Sequence, residues 1–235
     1  RSGGKTVRTY VTVAVLQAGR GLGRVGNLDC SRVAITADSA RALDFCDLSG
    51  AMLDTAALNG RSMREVNLTG ATAQDARMVA LSLAGSRLGG LAAPDASLVN
   101  VSMFDALAPS MDLSSGSVVG SPLYPRTLDG GDFTGATMTD SPLATASLRG
   151  TDFSNARLIH PDLAFTDLSR SQLDGVDASS SRPSLFLANL TGADLSGSVW
   201  NVDESGDHPA QWATLCRTKV SDARFGIDGD RDCPS

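Results

Sequence analysis

Aromatic side chains make up only 5% of the 235 residues and histidine occurs twice, so a conventional aromatic-filled core and histidine-based catalysis both lack raw material. No run of about 18 apolar residues is present, which excludes a membrane-spanning helix; the longest apolar-leaning stretch, Tyr10 to Leu16, is too short. The four cysteines, Cys30, Cys46, Cys216 and Cys233, contain no C-x-x-C pair and hence no zinc pattern. Basic charge is also scarce where most of the chain lies. Residues 1–41 carry +5, 42–200 carry −8 and 201–235 carry −3, so the body lacks the basic stripe that a phosphate-gripping protein needs. What is abundant is 42% hydrophobic residues, too many for disorder, and 24 glycines, which imply many turns.

Those residues are arranged with a period of five. Counting from Leu148 in steps of five meets an apolar residue at 28 consecutive slots between Leu43 and Ala178: 17 Leu, four Met, two Phe, one Val and four Ala. Two positions before each slot the residue is small in 21 of the 28 units, as at Ala51, Ala71, Ala136, Ala146 and Ala156. A helix would rotate successive slots by about 140° and spread leucine around its surface. A flat strand would send alternate slots to opposite faces. Only a chain that turns a corner in every unit points all of them at one axis, and Gly50, Gly60, Gly70, Gly135, Gly150 and Asn155 suit such corners. The stretch from Ala146 to Leu158 then makes three sides of a coil, with Leu148, Phe153 and Leu158 lining the core. Successive coils stack into a solenoid.

Ala136-Thr-Met, Ala146-Ser-Leu, Thr151-Asp-Phe, Ala156-Arg-Leu, Ala188-Asn-Leu and Ala193-Asp-Leu resemble the A(D/N)Lxx signature of pentapeptide-repeat proteins. The resemblance implies an all-β fold, a right-handed quadrilateral β-helix of about eight coils with four units per coil. Residues 28–200 form the β-helix, with a two-residue insertion near 179–183. Residues 1–27 form an N-terminal cap, in which Val7 to Val15 alternate as a strand with a short helix as the competing reading. Residues 201–235 form a C-terminal cap that leaves the repeat. Gly3-Gly4-Lys5-Thr6 lacks the preceding strand and first glycine of a phosphate loop and reads as a terminus.

Several residues depart from the pattern. Arg41, Arg61 and Arg126 occupy the small-residue slot, where an unpaired buried charge is costly, so those sides either bulge or lose register. Pro161, in the same slot, lacks a backbone donor and is expected to distort its side. The Cys-Arg-Thr-Lys…Asp-Cys wording of the tail is similar to tails of exported pentapeptide-repeat proteins, which implies a Cys216–Cys233 disulfide and points to an extracytoplasmic or secreted setting, with a cytoplasmic one as the alternative. Cys46 falls on an inward slot and suits packing, with Cys30 as a candidate partner.

His160 and His208 lie far apart with no nucleophile or metal motif beside them, so no catalytic residues, metal ligands or cofactors are expected. Twenty residues per coil would stack Asp112, Asp132 and Asp152 in one acidic column. The column is a candidate site for a basic partner, although aspartates here also suit local hydrogen bonds. Two functions follow: a non-enzymatic interaction or scaffold solenoid, or, as the resemblance implies, a DNA mimic that binds DNA gyrase or another type II topoisomerase and protects it from quinolones or peptide toxins. Direct nucleic-acid binding is not expected. The chain is expected as a monomer or an end-to-end homodimer, with Trp200, Trp212 and Phe225 as aromatic candidates for its end.

Overall fold

In most of the described units the same few backbone bonds recur, and they explain why a five-residue period folds as it does. The structure is a computed structural model describing residues 28–29, 43–54, 58–60, 62–180, 184–200, 213–221 and 233. The small-slot N–H closes a tight turn onto the preceding core residue's carbonyl, as in Ala146 to Leu143 at 3.0 Å and Ala156 to Phe153 at 2.9 Å. The other amides reach neighbouring coils: Leu148 N–H donates to Asp167, Asp152 N–H to Gly131 and Gly150 N–H to Ser169. Each unit is therefore a short side and a corner, with its polar backbone satisfied by the coils above and below.

Two parallel strands, β1 (Leu28–Asp29) and β2 (Cys46–Asp47), pair near the N-terminal end. A seven-stranded parallel sheet runs through β3 (Arg77–Val79), β4 (Ser97–Val99), β5 (Ser117–Val119), β6 (Thr137–Thr139), β7 (Arg157–Ile159), β8 (Asp177–Ala178) and β9 (Val199–Trp200). This is one side of a four-sided β-helix and is called the third face below. The first face climbs by single bridges through Asp47, Asn67, Arg87, Leu107, Thr127, Ser147, Asp167 and Asn189 to Thr214. The second runs from Met52 through Thr72 and Ala92 to Asp112 and beyond, and the fourth begins at Ser62, Ser82 and Ser102. Partners are 18 residues apart between β1 and β2, 20 apart from Asp47↔Asn67 onwards, 22 apart from Asp162↔Ser184 and Asp167↔Asn189, and 25 apart at Asn189↔Thr214 and Asp194↔Lys219. The two residues that raise the offset to 22 fall in the corner between the third and fourth faces.

The axis is filled by the five-residue column. Leu148, Phe153 and Leu158 are buried, and the Phe133 and Phe153 rings stack one coil apart at 4.9 Å. Trp200 also fills the column, with its indole N–H donating to Ser198 Oγ at 2.9 Å, so it presents no surface for an end-to-end contact. Trp212 and Phe225 lie outside the described residues. Burying each such side chain contributes about 1.5–3 kcal/mol.

Three expectations need correction or resolution. Pro161 keeps its slot, being buried and accepting from Ser184 N–H at 3.2 Å, but the side it begins bridges only the following coil. Proline in the slot costs the turn bond its N–H would make, and in the preceding coils the fourth-face bridges are missing at positions 122 and 142, where Pro122 and Pro142 also lack an amide donor. At Arg126 the register gives way. Pro125 takes the buried place, and Arg126 points outward with its Nε donating to Asp105 at 2.5 Å. Arg41 and Arg61 lie outside the described residues. The tail does not simply leave the repeat at residue 201, because Thr214 bridges Asn189, Lys219 bridges Asp194, and Ala213 and Leu215 are buried. The spacing explains it: Leu215 and Val220 are five apart, with Ala213 and Thr218 two before each.

Candidate functional site

On the second face each of Asp112, Asp132, Asp152 and Asp194 stands between two inward-facing buried residues, so its own side chain points out. The structure stacks Asp112, Asp132 and Asp152 by successive parallel bridges, then continues the column with Gln172, Asp194 and Lys219. Stacked strands place successive carboxylates about 4.8 Å apart. Each accepts the amide two residues on: Ser114 to Asp112 at 2.9 Å, Thr134 to Asp132 at 2.9 Å and Ser154 to Asp152 at 2.8 Å. This is the Asx arrangement that helps turn the corner. One oxygen of each carboxylate is thus used locally.

The same turn is made without charge elsewhere in the chain. Asn67 accepts from Thr69 N–H and Asn189 from Thr191 N–H, both at 3.1 Å. The corner can therefore use a neutral acceptor oxygen at this position in place of an anion, and at Ala92 and Leu107 it turns with no side-chain acceptor at all. That separates the structural role of the aspartates from their charge.

The corner following the second face adds Asp54, Asp75, Asp95 and Asp174. Together, face and corner carry eight of the 17 acidic residues between 42 and 200, and among the described residues their only base is Lys219 at the far end. The corner aspartates were missed in the sequence because they occupy two different corner positions, 54 and 174 being one residue after a core slot and 75 and 95 two after. A step of about 20 still links 54, 75 and 95. Asp194 joins the column only once the two-residue insertion is counted.

Lys219 Nζ donates to Asp194 Oδ2 at 2.7 Å and closes the column. Partial burial raises the Asp194 carboxyl pKa, but the Lys219 ammonium and the Ser196 hydroxyl and amide outweigh it and hold the group below the usual carboxylate range. The Lys219 ammonium is correspondingly raised by Asp194.

The other sequence candidates fall elsewhere. His160 Nδ1 lies 2.8 Å from Asp140 Oδ1 on an exposed corner, and His208 is outside the described residues. Among the described residues no group of three His, Cys, Asp or Glu is placed to hold a metal ion. Cys216, in the last coil, is joined to Cys233. Cys46 is disulfide-bonded and belongs to the buried core, while its candidate partner Cys30 lies outside the described residues.

Comparison with known proteins assigns the repeat. The family described as Pentapeptide repeats matches residues 143–175 and 151–182, with eight copies. Solved structures similar to this chain include HetL from the cyanobacterium Nostoc sp. strain PCC 7120, a pentapeptide repeat protein involved in heterocyst differentiation regulation. It is 20% identical, with 75% of this chain and 79% of that one covered and a TM-score of 0.33. A trypsin-treated form of QnrB1, a plasmid-mediated fluoroquinolone resistance protein, is 21% identical, with 72% and 91% covered and a TM-score of 0.37. No curated protein matches the chain.

Proposed function

Because this chain is built from pentapeptide repeats wound into a rod with one acidic side, we propose that it is a non-enzymatic interaction scaffold whose second face and following corner receive a basic surface of another protein. The observation that carries this reading is the segregation of charge: eight carboxylates gather on one face and its corner, in a fold that makes the same turn with asparagine. Like charges about 5 Å apart in water repel by roughly 1 kcal/mol per pair. A cationic partner relieves that repulsion, and added salt screens it within about 10 Å. The bonded cysteines favour an oxidising setting for the rod.

A lysine-rich peptide titrated by fluorescence anisotropy tests the proposal. The triple variant Asp112→Asn, Asp132→Asn, Asp152→Asn keeps the corner acceptors, so it should fold as the parent does. It should bind about tenfold more weakly at low salt, a loss of about 1.4 kcal/mol. Equal affinity for parent and variant rejects the site.

The second reading, duplex mimicry towards a type II topoisomerase, is favoured by the regular spacing of the same column. Duplex DNA carries one charge per about 1.7 Å of axis, whereas the column offers one per about 4.8 Å. The strip has roughly a third of the density it would imitate, so a basic protein surface is the better match. A gyrase supercoiling assay separates the two: no effect of micromolar protein leaves the scaffold reading standing.

A further inference from the structure

Nearly all large apolar side chains avoid the surface of this rod, and most of the exceptions share one corner. Between the fourth and first faces, successive coils present Phe104, Tyr124, Ala144, Phe165 and Phe186 with Leu187. Phe104 is 63% exposed, Phe165 53% and Leu187 52%, and the Phe165 and Phe186 rings meet edge to face at 5.5 Å. Phe45 stands on the same corner further towards the N-terminal end. No other corner carries an aromatic residue among the described residues.

Two costs attach to this strip. The rings lie in water and fill no core. Moreover, Phe165 has φ 59° and Leu187 has φ 54°, the left-handed region that bulky side chains seldom adopt. Neither burial nor turn geometry accounts for apolar residues at these positions, which is the mark of a contact surface.

From the order of residues along the corner we infer that the strip joins two copies of this chain, side by side and antiparallel. Ala144 marks its midpoint. Two coils on one side hold Phe104 and Tyr124, and two on the other hold Phe165 and the Phe186–Leu187 pair. A two-fold axis through the Ala144 coil sets Tyr124 against the partner copy's Phe165 position and Phe104 against its Phe186 position, with the small residue allowing the corners to approach. An isologous contact requires this self-complementary order.

Charge agrees with the arrangement. The same axis relates the coil carrying Arg126 to the coil carrying Asp167, and both lie on the first-face side of the strip, so a guanidinium of each copy meets a carboxylate of the other. In the single chain Arg126 pairs with Asp105, and Asp167 pairs with Arg149 at 3.0 Å, so the contact joins two exposed ion pairs into a network. The acidic second face and its following corner turn away from the contact, which spares two copies the repulsion of their −8 bodies.

Four coil steps span about 19 Å, and a strip of that length only one corner wide buries much less than the roughly 800 Å² per partner of a standard stable interface. The association is therefore weak and reversible. In sedimentation equilibrium the average mass should rise towards two chains between about 10 µM and 1 mM, the range of a small transient interface.

Thr145→Cys places a thiol beside the axis, and no described cysteine is free to compete with it. Under mild oxidation it should cross-link into a dimer at least about tenfold faster than Ser115→Cys on the acidic corner. The double variant Phe165→Ser, Phe186→Ser alters only exposed side chains and should weaken association about tenfold or more. A constant single-chain mass up to 1 mM overturns the inference. So does cross-linking of Thr145→Cys no faster than that of Ser115→Cys.

Discussion

Thr145 is held at φ 66°, a region where an L residue is strained by roughly 1–2 kcal/mol and a β-branched one is a genuine outlier. Glycine adopts that conformation freely but gives up about 0.5–1 kcal/mol to the unfolded chain's entropy. Thr145→Gly should thus leave a small net gain, under about 1 kcal/mol. It should be read as a higher denaturant midpoint with an unchanged slope, and a lower midpoint contradicts the strain. Gly131 illustrates the opposite constraint. It sits two residues before Phe133, and a Cβ there would lie 3.0 Å from the Phe133 ring and from Leu128 O, and 3.1 Å from Met111 O. Two of those three neighbours are backbone atoms that cannot turn aside, so Gly131→Ala should cost about 1–3 kcal/mol. A neutral substitution would mean that the Phe133–Phe153 stack can slide.

The last coil depends on a few specific ties. Thr214 N–H donates to Ala188 O and Lys219 N–H to Ala193 O, both near 2.9 Å, while Lys219 and Asp194 pair above them and Cys216 is clasped to Cys233. Cys233→Ser should release unfolded-state constraint worth about 3 kcal/mol for a loop of this length. The effect should appear as faster hydrogen exchange at Thr214 and Lys219, with the Leu148 coil unchanged. Acid acts on the same element. The Asp194 carboxyl is depressed in the folded state, so its contribution is present above the unfolded value near 3.9 and is lost as pH falls through the lower folded value. Asp194→Asn should flatten the part of the stability profile below about pH 4; an unchanged acid limb would assign it to Asp44 and Asp177, whose carboxyls are also depressed. This coil was the part of the fold least legible in the sequence. Two units, Leu215 and Val220, are too few to announce a period, and the residues between Trp200 and Ala213 break the count. The outcomes at Pro161 and Arg126 were open for a related reason. The pattern shows which slot a residue occupies but not which of its amides the ladder uses, and Pro161 and Arg126 depended on that.

At the scale of the whole rod two periods operate. The core repeats every five residues, because any inward leucine serves any coil, and that period was readable from Leu43 to Ala178. The surface repeats every 20, then 22 and at the last coil 25, because a column needs the same face of successive coils. Asp112, Asp132 and Asp152 were legible because three strict steps of 20 connect them, whereas Asp194 was hidden behind the inserted residues. Deletions can set the two periods against each other. Removing residues 136–155 joins Gly135 to Ala156, keeps every face in place and costs the column Asp152. Removing residues 136–145 joins Gly135 to Ala146. That deletion keeps Asp152, yet turns everything beyond it by half a coil, so Asp152 and Asp194 leave the side that holds Asp112 and Asp132. Since a solenoid's stability is a sum over neighbouring coils, both chains should fold and melt cooperatively. Their affinities for a lysine-rich peptide should nevertheless differ in the direction opposite to their number of carboxylates. The shorter chain should stay within about threefold of the parent, and the longer one, which keeps one more carboxylate at the same net charge, should fall about tenfold, as expected when charges separated by more than a Debye length cease to act together. If affinity instead follows the number of carboxylates, the column is only a charge reservoir and its alignment along one face carries no recognition.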